Sequence, residues 1–155
     1  MLTPITLVPI GIIHSSRKNR EDDHWDDVES IVELDAQVFS EESLQGLNNF
    51  SHLEIIFFMH QVADQTIETK ARHPRDRLDL PKIGIFAQRA KHRPNKLGLS
   101  CCKLISIEKT NIIVQGLDAL DQTPLLDIKP YVQEFGPRGD VYQPNWMTEI
   151  MKVYY

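Results

Sequence analysis

Between Gly84 and Ser100 the chain reads Gly-Ile-Phe-Ala-Gln-Arg-Ala-Lys-His-Arg-Pro-Asn-Lys-Leu-Gly-Leu-Ser. Arg89, Lys91 and Arg93 place three cations in a short polar stretch, a pattern suited to holding phosphate. Pro94 fixes its own φ and pushes Arg93 toward an extended conformation. Asn95 tolerates unusual φ and can hydrogen-bond its own backbone. Strand-like apolar pieces flank the stretch, Ile83 to Ala87 before it and Leu97 onward after it. The pattern predicts a stiff polar loop between two buried strands, a place where binding and catalytic groups gather on rigid scaffolds. The plain alternative is a surface loop of solvated cations.

The charge around this loop is segregated. Residues 70 to 96 carry nine Lys and Arg against Asp76 and Asp79, a local +7 in a chain of net charge −5, so the remainder carries −12. Ten acidic residues between Glu21 and Glu42 supply most of that. A concentrated basic segment in an acidic protein makes a local phosphate-binding patch, or else the two segments neutralise each other in the fold or across a dimer. Three further polar groups stand at strand ends or turns: the pair His60-Gln61, the turn Asp118 to Thr123, and Asp127. No G-x-G-x-x-G follows a strand, which removes a Rossmann cofactor site. No Cys/His spacing resembles a zinc site, and no metal is expected. Adjacent Cys101 and Cys102 would point to opposite faces of a strand, so no intramolecular disulfide is expected. The expected setting is a reducing cytoplasm. Neither a signal peptide nor a membrane-spanning apolar run is legible.

The elements that position these groups are mostly strands. Residues 5 to 14 read as a strand, with Gly11 marking a bulge or close backbone approach. Residues 15 to 27 form an acidic loop around Trp25, read as a half-buried packing residue or as a ligand-stacking one. Residues 28 to 35 alternate as a second strand. Ser40 opens an N-capped short helix. Residues 52 to 62 read as a central strand, apolar on both faces, with His60 and Gln61 at its end. Residues 63 to 82 make a long polar connection of the functional or mobile kind. Two strands follow, 97 to 107 and 111 to 118, joined by a tight turn. A short strand runs from Asp127 to Tyr131 and stops at Pro130, and Asn145 caps a last helix to about Tyr154. A chain of 155 residues is large enough for one domain with a proper core.

Arg89, Arg93-Pro94-Asn95 and Leu97-Gly98-Leu99-Ser100 together resemble the signature of the TrmO/TsaA-like family. Phe50-Ser51-His52-Leu53, His60-Gln61, the run from Gly116 to Pro124, and Asp127-Ile128-Lys129-Pro130-Tyr131 match it at consistent spacing, as does Ile10-Gly11-Ile12-Ile13. The matches span roughly residues 8 to 135.

The resemblance implies a mostly β, single-domain TsaA-like β-barrel with a few short helices: residues 1–140 as barrel, 141–155 as a helical tail packed on the barrel or on a dimer partner. It implies S-adenosyl-L-methionine as cofactor, methylation of N6 of threonylcarbamoyl-adenosine beside the anticodon of tRNA, and a homodimer. The cofactor would be contacted by His60, Gln61, Arg89, Leu99, Asp118, Ala119, Leu120 and Asp121. Asp121 and Asp127 would be the proton-accepting carboxylates, each with a turn-capping role as its alternative. Lys91, Arg93, Asn95, Lys129 and Tyr131 would contact the anticodon loop, Arg93 serving otherwise as an anchor for carbonyls of its own loop. The chain departs from the family where Glu21-Asp22-Asp23-His24-Trp25 replaces a Pro-Arg-Gln segment, where Ala90-Lys91 replaces Ser-Pro, and at Lys96. A small-molecule or other RNA acceptor, or a non-catalytic cofactor-binding barrel, are the competing readings.

Overall fold

The computed structural model describes residues 2–155. Six strands close into a barrel in the order β1-β2-β7-β6-β3-β8, every neighbouring pair antiparallel. They are β1 (Gly11–Ser15), β2 (Glu29–Leu34), β3 (His52–Phe58), β6 (Leu97–Glu108), β7 (Asn111–Gln115) and β8 (Thr123–Pro130). A separate two-stranded ribbon joins β4 (Ala71–Arg72) to β5 (Ile83–Gly84). One short helix, α1 (Asn145–Ile150), follows the barrel. The expected mostly-β barrel is the fold observed.

Alternation drives closure. Val32 and Leu34 of β2, Leu53, Ile55 and Phe57 of β3, and Ile112 and Val114 of β7 turn inward and are buried, while their neighbours face outward. With Ile13, Cys102 and Leu125 they fill the lumen with side chains, as small barrels do. Two glycines let walls approach. A Cβ on Gly11 would lie 2.0 Å from the Glu33 carbonyl oxygen, and one on Gly98 would lie 2.2 Å from the Phe57 ring. The close approach expected at Gly11 is therefore present.

Several expected elements differ. The first strand begins only at Gly11, because Pro4 and Pro9 cannot donate to a ladder. The strand at 52 is not buried on both faces. It alternates, as a strand of an antiparallel barrel must, and it ends at Phe58. The piece from Ile83 to Ala87 is a two-residue bridge followed by a 3-10 turn. β8 starts at Thr123, four residues before expectation. At α1 the N-cap position is Pro144 rather than Asn145, and the helix ends at Ile150. Ser40 makes no side-chain cap bond to the 3-10 turn Glu41–Leu44. Cys101 is exposed and Cys102 buried, on opposite faces as expected.

Chain direction sorts the connections. At one end of the barrel β1, β3 and β7 finish and β2, β6 and β8 begin, so residues 16–28, 59–96 and 116–122 all leave the same mouth. The other end carries residues 35–51 and the tight turn Glu108–Asn111. The length, and the charges, of the loops are concentrated at the mouth.

Gly11→Ala should lower stability by about 1–3 kcal/mol, because a new methyl meets backbone that cannot step aside. Gly84→Ala, with nothing within 4 Å of the added carbon, should stay within about 0.5 kcal/mol of the parent. Urea unfolding followed by circular dichroism compares the two, and equal costs would contradict the close approach.

Candidate functional site

The mouth owes its shape to β6. Residues Leu97 to Lys103 pair with β3, but pairing with β7 begins only at Lys103. The first half of β6 therefore has a free edge among the described residues. Unpaired backbone groups there need other partners. Arg89 supplies one, donating from Nη2 to the Leu99 carbonyl oxygen at 2.6 Å. On the inward face Ser100, 2% exposed, donates its hydroxyl to Asp118 Oδ1. The other carboxylate oxygen accepts the hydroxyl of Tyr154, brought back by the C-terminal tail.

Asp118 stands out electrostatically. Burial pushes its carboxyl above the usual range, while the Tyr154 hydroxyl and the Arg89 charge pull the other way. Leu117 and Ala119 on either side are buried, so the stretch read as a polar turn is an apolar plug carrying one inward carboxylate. Across the mouth, His60 Nδ1 lies 3.3 Å from Thr123 Oγ1, and burial lowers the His60 pKa. An imidazole so placed is mostly neutral at pH 7.

Asp121 does different work. Its Oδ1 accepts the Ser15 backbone N–H at 3.1 Å, and its own N–H donates to the Arg17 carbonyl at 2.8 Å. These bonds tie the plug to the 16–28 loop, the turn-capping alternative. The Ser15 N–H holds the Asp121 carboxyl below the usual range. Asp127 sits farther along β8, its Oδ2 2.6 Å from Lys129 Nζ.

The remaining expected site residues divide. Leu99 and Asp127 both oppose Ile56, so they form one row across the outer wall of β6, β3 and β8. Gln61 and Asn95 are exposed at the mouth, Asn95 at φ 64° as its type allows. Ala119 and Leu120 line the plug. Lys129 and Tyr131 lie at the far end of β8, about 20 Å from the mouth by strand rise. The structure joins Arg89, Leu99, Asp118 and Ser100 in one network, sets His60 beside Thr123 at the same end, and leaves Lys129 and Tyr131 remote.

The basic segment is largely neutralised within the fold. Lys91 pairs with Asp22 at 3.0 Å, Arg75 holds Asp23 through two bonds, Lys96 pairs with Asp64, and Arg77 pairs with both Asp79 and Glu149. Arg93 donates to the Gln88 carbonyl at 3.0 Å, the anchoring alternative. Lys91 thus ties two mouth loops together, and Arg93 anchors its own loop. Lys18, Arg20, Lys70 and Lys82 are exposed at the mouth and have no ion-pair partner among the described residues.

Two residues that sequence reasoning passed over hold the site together. Arg17 lies 4.4 Å over the Trp25 ring, donates to the carbonyls of Asp23 and His24, and pairs with Glu21. It buries Trp25, which is 3% exposed and so deeper than the half-buried expectation. Tyr154 is the other. It lies 36 residues from Asp118, and no spacing rule connects them.

Comparison with known proteins adds the following. The sequence model of the tRNA-methyltransferase O N-terminal domain matches residues 14–136. A human tRNA (adenine(37)-N6)-methyltransferase is 40% identical over 104 residues, which are 67% of this chain and 23% of that protein. A probable S-adenosyl-L-methionine-binding protein of Pyrococcus abyssi is 37% identical over 156 residues, 96% of this chain and 80% of that protein. The crystal structure of TrmO from Pseudomonas aeruginosa superimposes with a TM-score of 0.70 at 30% identity, covering 90% of this chain and 62% of that one. The chain thus spans under a quarter of the human protein's length and about three fifths of the Pseudomonas one.

Asp121→Asn tests the loop tie. The folded pKa of Asp121 is depressed by the Ser15 N–H, so its stabilising effect is present above the ordinary aspartate pKa and lost as pH falls through the folded value. The variant should unfold at lower urea than the parent at pH 7, and the gap should close toward about pH 3. A gap constant with pH would remove the ionised carboxylate from the tie.

Proposed function

We propose a function from one premise: this chain belongs to the family of tRNA-methyltransferase O N-terminal domains. The reading is an S-adenosyl-L-methionine-dependent methyltransferase that modifies N6 of threonylcarbamoyl-adenosine beside the anticodon of tRNA. The observation that carries it is the 40% identity, over 104 residues, with a protein named tRNA (adenine(37)-N6)-methyltransferase. The S-adenosyl-L-methionine-binding relative that matches nearly the whole chain supports the cofactor.

The residues at the mouth fit such a ligand by their chemistry. The cofactor carries a sulfonium and an amino group, both positive, and Asp118 offers a carboxylate held between Ser100 and Tyr154. Its carboxylate end suits a guanidinium, and Arg89 is fixed at the rim by the Leu99 carbonyl. Apolar Leu99, exposed on the outer face beside Arg89, and the partly exposed Leu120 offer packing surface for the adenine. When bound, the cofactor would supply a methyl group already activated for displacement. The protein's share is then alignment, which in well-oriented reactions contributes on the order of 7–11 kcal/mol.

The acceptor nitrogen is a weak nucleophile, because its lone pair is shared with the ring. A group that takes its proton would assist by about two to four powers of ten. Asp121 is depressed in pKa by its structural bond and is the weaker base for that reason. His60, kept neutral by burial and with Nδ1 engaged by Thr123, is the better-suited acceptor. Because its pKa is lowered, the acid limb of kcat/KM should fall below the ordinary histidine value of about 6.5. His60→Gln should abolish that limb, and a limb that survives the substitution would exclude His60.

The acceptor base would come from a single-stranded loop, with no duplex to open. The exposed cations Lys18, Arg20, Lys70 and Lys82 are the groups free to meet its phosphates. Transfer of tritiated methyl from the cofactor to tRNA, with nucleoside mass spectrometry of the product, tests the reaction. The expected product is an N6-methylated adenosine derivative. Cofactor binding without transfer to any RNA would favour a regulatory barrel. Lys18→Gln with Arg20→Gln should raise KM for tRNA and flatten its salt dependence by roughly 0.7–0.9 in log–log slope per lost contact, while cofactor affinity holds.

A further inference from the structure

We propose that Tyr154 is a positioning residue of the cofactor site: the C-terminal tail carries its hydroxyl to the Asp118 carboxylate and fixes that carboxylate beside Ser100 at the barrel mouth. The inference rests on the reading of the mouth as an S-adenosyl-L-methionine site. It goes beyond that reading, since the tail lies outside residues 14–136, the span that the family model matches.

The tail is held by contacts that fix where it ends up. Glu149 of α1 accepts a bond from Arg77 at 2.6 Å, tying the helix to the 59–96 connection. Ile150 is buried. Beyond the helix the backbone docks on the 16–28 loop: the His24 N–H donates to the Val153 carbonyl at 2.9 Å and the Trp25 N–H to the Tyr154 carbonyl at 2.8 Å. Trp25 itself is clamped under Arg17. The Tyr154 and Tyr155 rings meet edge to face, 5.0 Å between centroids. Tyr154 is therefore delivered to Asp118 by a chain of contacts through two mouth loops.

The groups facing Asp118 are few. Ser100 and Cys102 come from β6, Arg89 from the 59–96 connection, Tyr154 and Tyr155 from the tail. Asp26 of the 16–28 loop lines the adjoining groove with Tyr155 and Cys102. Cys102, pushed up to about 12 by burial, stays a neutral thiol. Burial likewise raises Tyr154, so its phenol remains protonated and donates at every physiological pH. A desolvated carboxylate favours its neutral form, and each O–H donor restores the charged one. Only two hydroxyls do this for Asp118, and one of them belongs to the tail. The Arg89 charge acts in the same direction, yet burial still leaves the carboxyl above the usual range, so loss of the Tyr154 hydroxyl would push Asp118 further toward the neutral form, which attracts a sulfonium less.

The test follows the Asp118 ionisation directly. Carbon-13 NMR of the aspartate carboxyls, assigned with Asp118→Asn, gives its titration midpoint in the full chain, in Tyr154→Phe and in Ser100→Ala. Calorimetry against pH gives affinities for S-adenosylmethionine and for S-adenosylhomocysteine, whose sulfur is uncharged. Tyr154→Phe should raise the midpoint by at least about one unit and weaken S-adenosylmethionine by up to about tenfold per unit of that rise, over the pH range in which Asp118 is more protonated than in the parent. S-adenosylhomocysteine should weaken much less. Ser100→Ala should shift the midpoint in the same direction. An unchanged midpoint, or equal losses for both ligands, would overturn the proposal in a protein that binds them. A parent protein that binds neither ligand would overturn the cofactor reading, and this proposal with it.

Discussion

The length mismatch between β6 and β7 is the constraint from which the rest of the mouth follows. β6 runs 12 residues and serves two partners, yet β7 has only 5 residues to offer. Lys103 is the one residue that pairs on both sides. Everything in β6 before it has one edge without a strand. Backbone groups on such an edge are satisfied by something else or stay wet. Here a guanidinium from one loop meets the Leu99 carbonyl, while the Asp118 plug meets the Ser100 side chain and the tail hydroxyl meets Asp118 in turn. A neighbouring strand along this edge would occupy the side from which Arg89 reaches the Leu99 carbonyl.

The charges obey the same economy. An acidic 16–28 loop and a basic 59–96 connection leave the barrel side by side, and both would be mobile if left to themselves. Pairing Asp22 with Lys91 and Asp23 with Arg75 fastens one to the other. Partly exposed pairs of this kind contribute little individually. Their value is geometric, because Asp23 is held by two bonds in a fork and the same loop carries Arg17, Trp25 and the tail. Segregated charge in the sequence is thus spent mostly on joining the loops. The cations left over sit at the rim.

Much of the fold was legible because barrels repeat a simple code. The alternation of β2, the hairpin of β6 and β7, and the small residue at Gly11 follow from side-chain period and steric room, which any window of sequence displays. The strand at β3 was misread on its outer face: Ile56 and Phe58 are apolar but only half-buried, and composition does not distinguish that from a core face. Arg89, His60 and Asp118 were legible as a set through resemblance to a family. Their grouping at one end depends on chain direction, which the order of strands supplies. Arg17 and Tyr154 were not legible. Each acts through carbonyls or a carboxylate brought near by closure, and a contact between residues 118 and 154 leaves no periodic trace. Lys91 and Arg93 show the converse, since a run of cations displays its charge but not its partners, Asp22 and the Gln88 carbonyl.

A site assembled this way has an energetic character of its own. The barrel core, with Leu53, Ile55, Ile112 and Leu125 fully buried, would survive the loss of any single mouth contact. The mouth is different. Its parts are loops fastened to one another by a handful of hydrogen bonds and ion pairs, each worth about 0.5–1.5 kcal/mol net. Local opening there costs far less than global unfolding. On the reading of the mouth as a cofactor site, a bulky, charged ligand would enter past those contacts, and weak fastening would serve entry. Asp118 limits how weak the fastening can be. Its carboxylate is desolvated, and a partner lost to local opening leaves a charge without compensation, which drives it to bind a proton instead. The loops must be loose enough to part and must reseat as a unit, since the ionisation of Asp118 depends on β6, the 59–96 connection and the tail together.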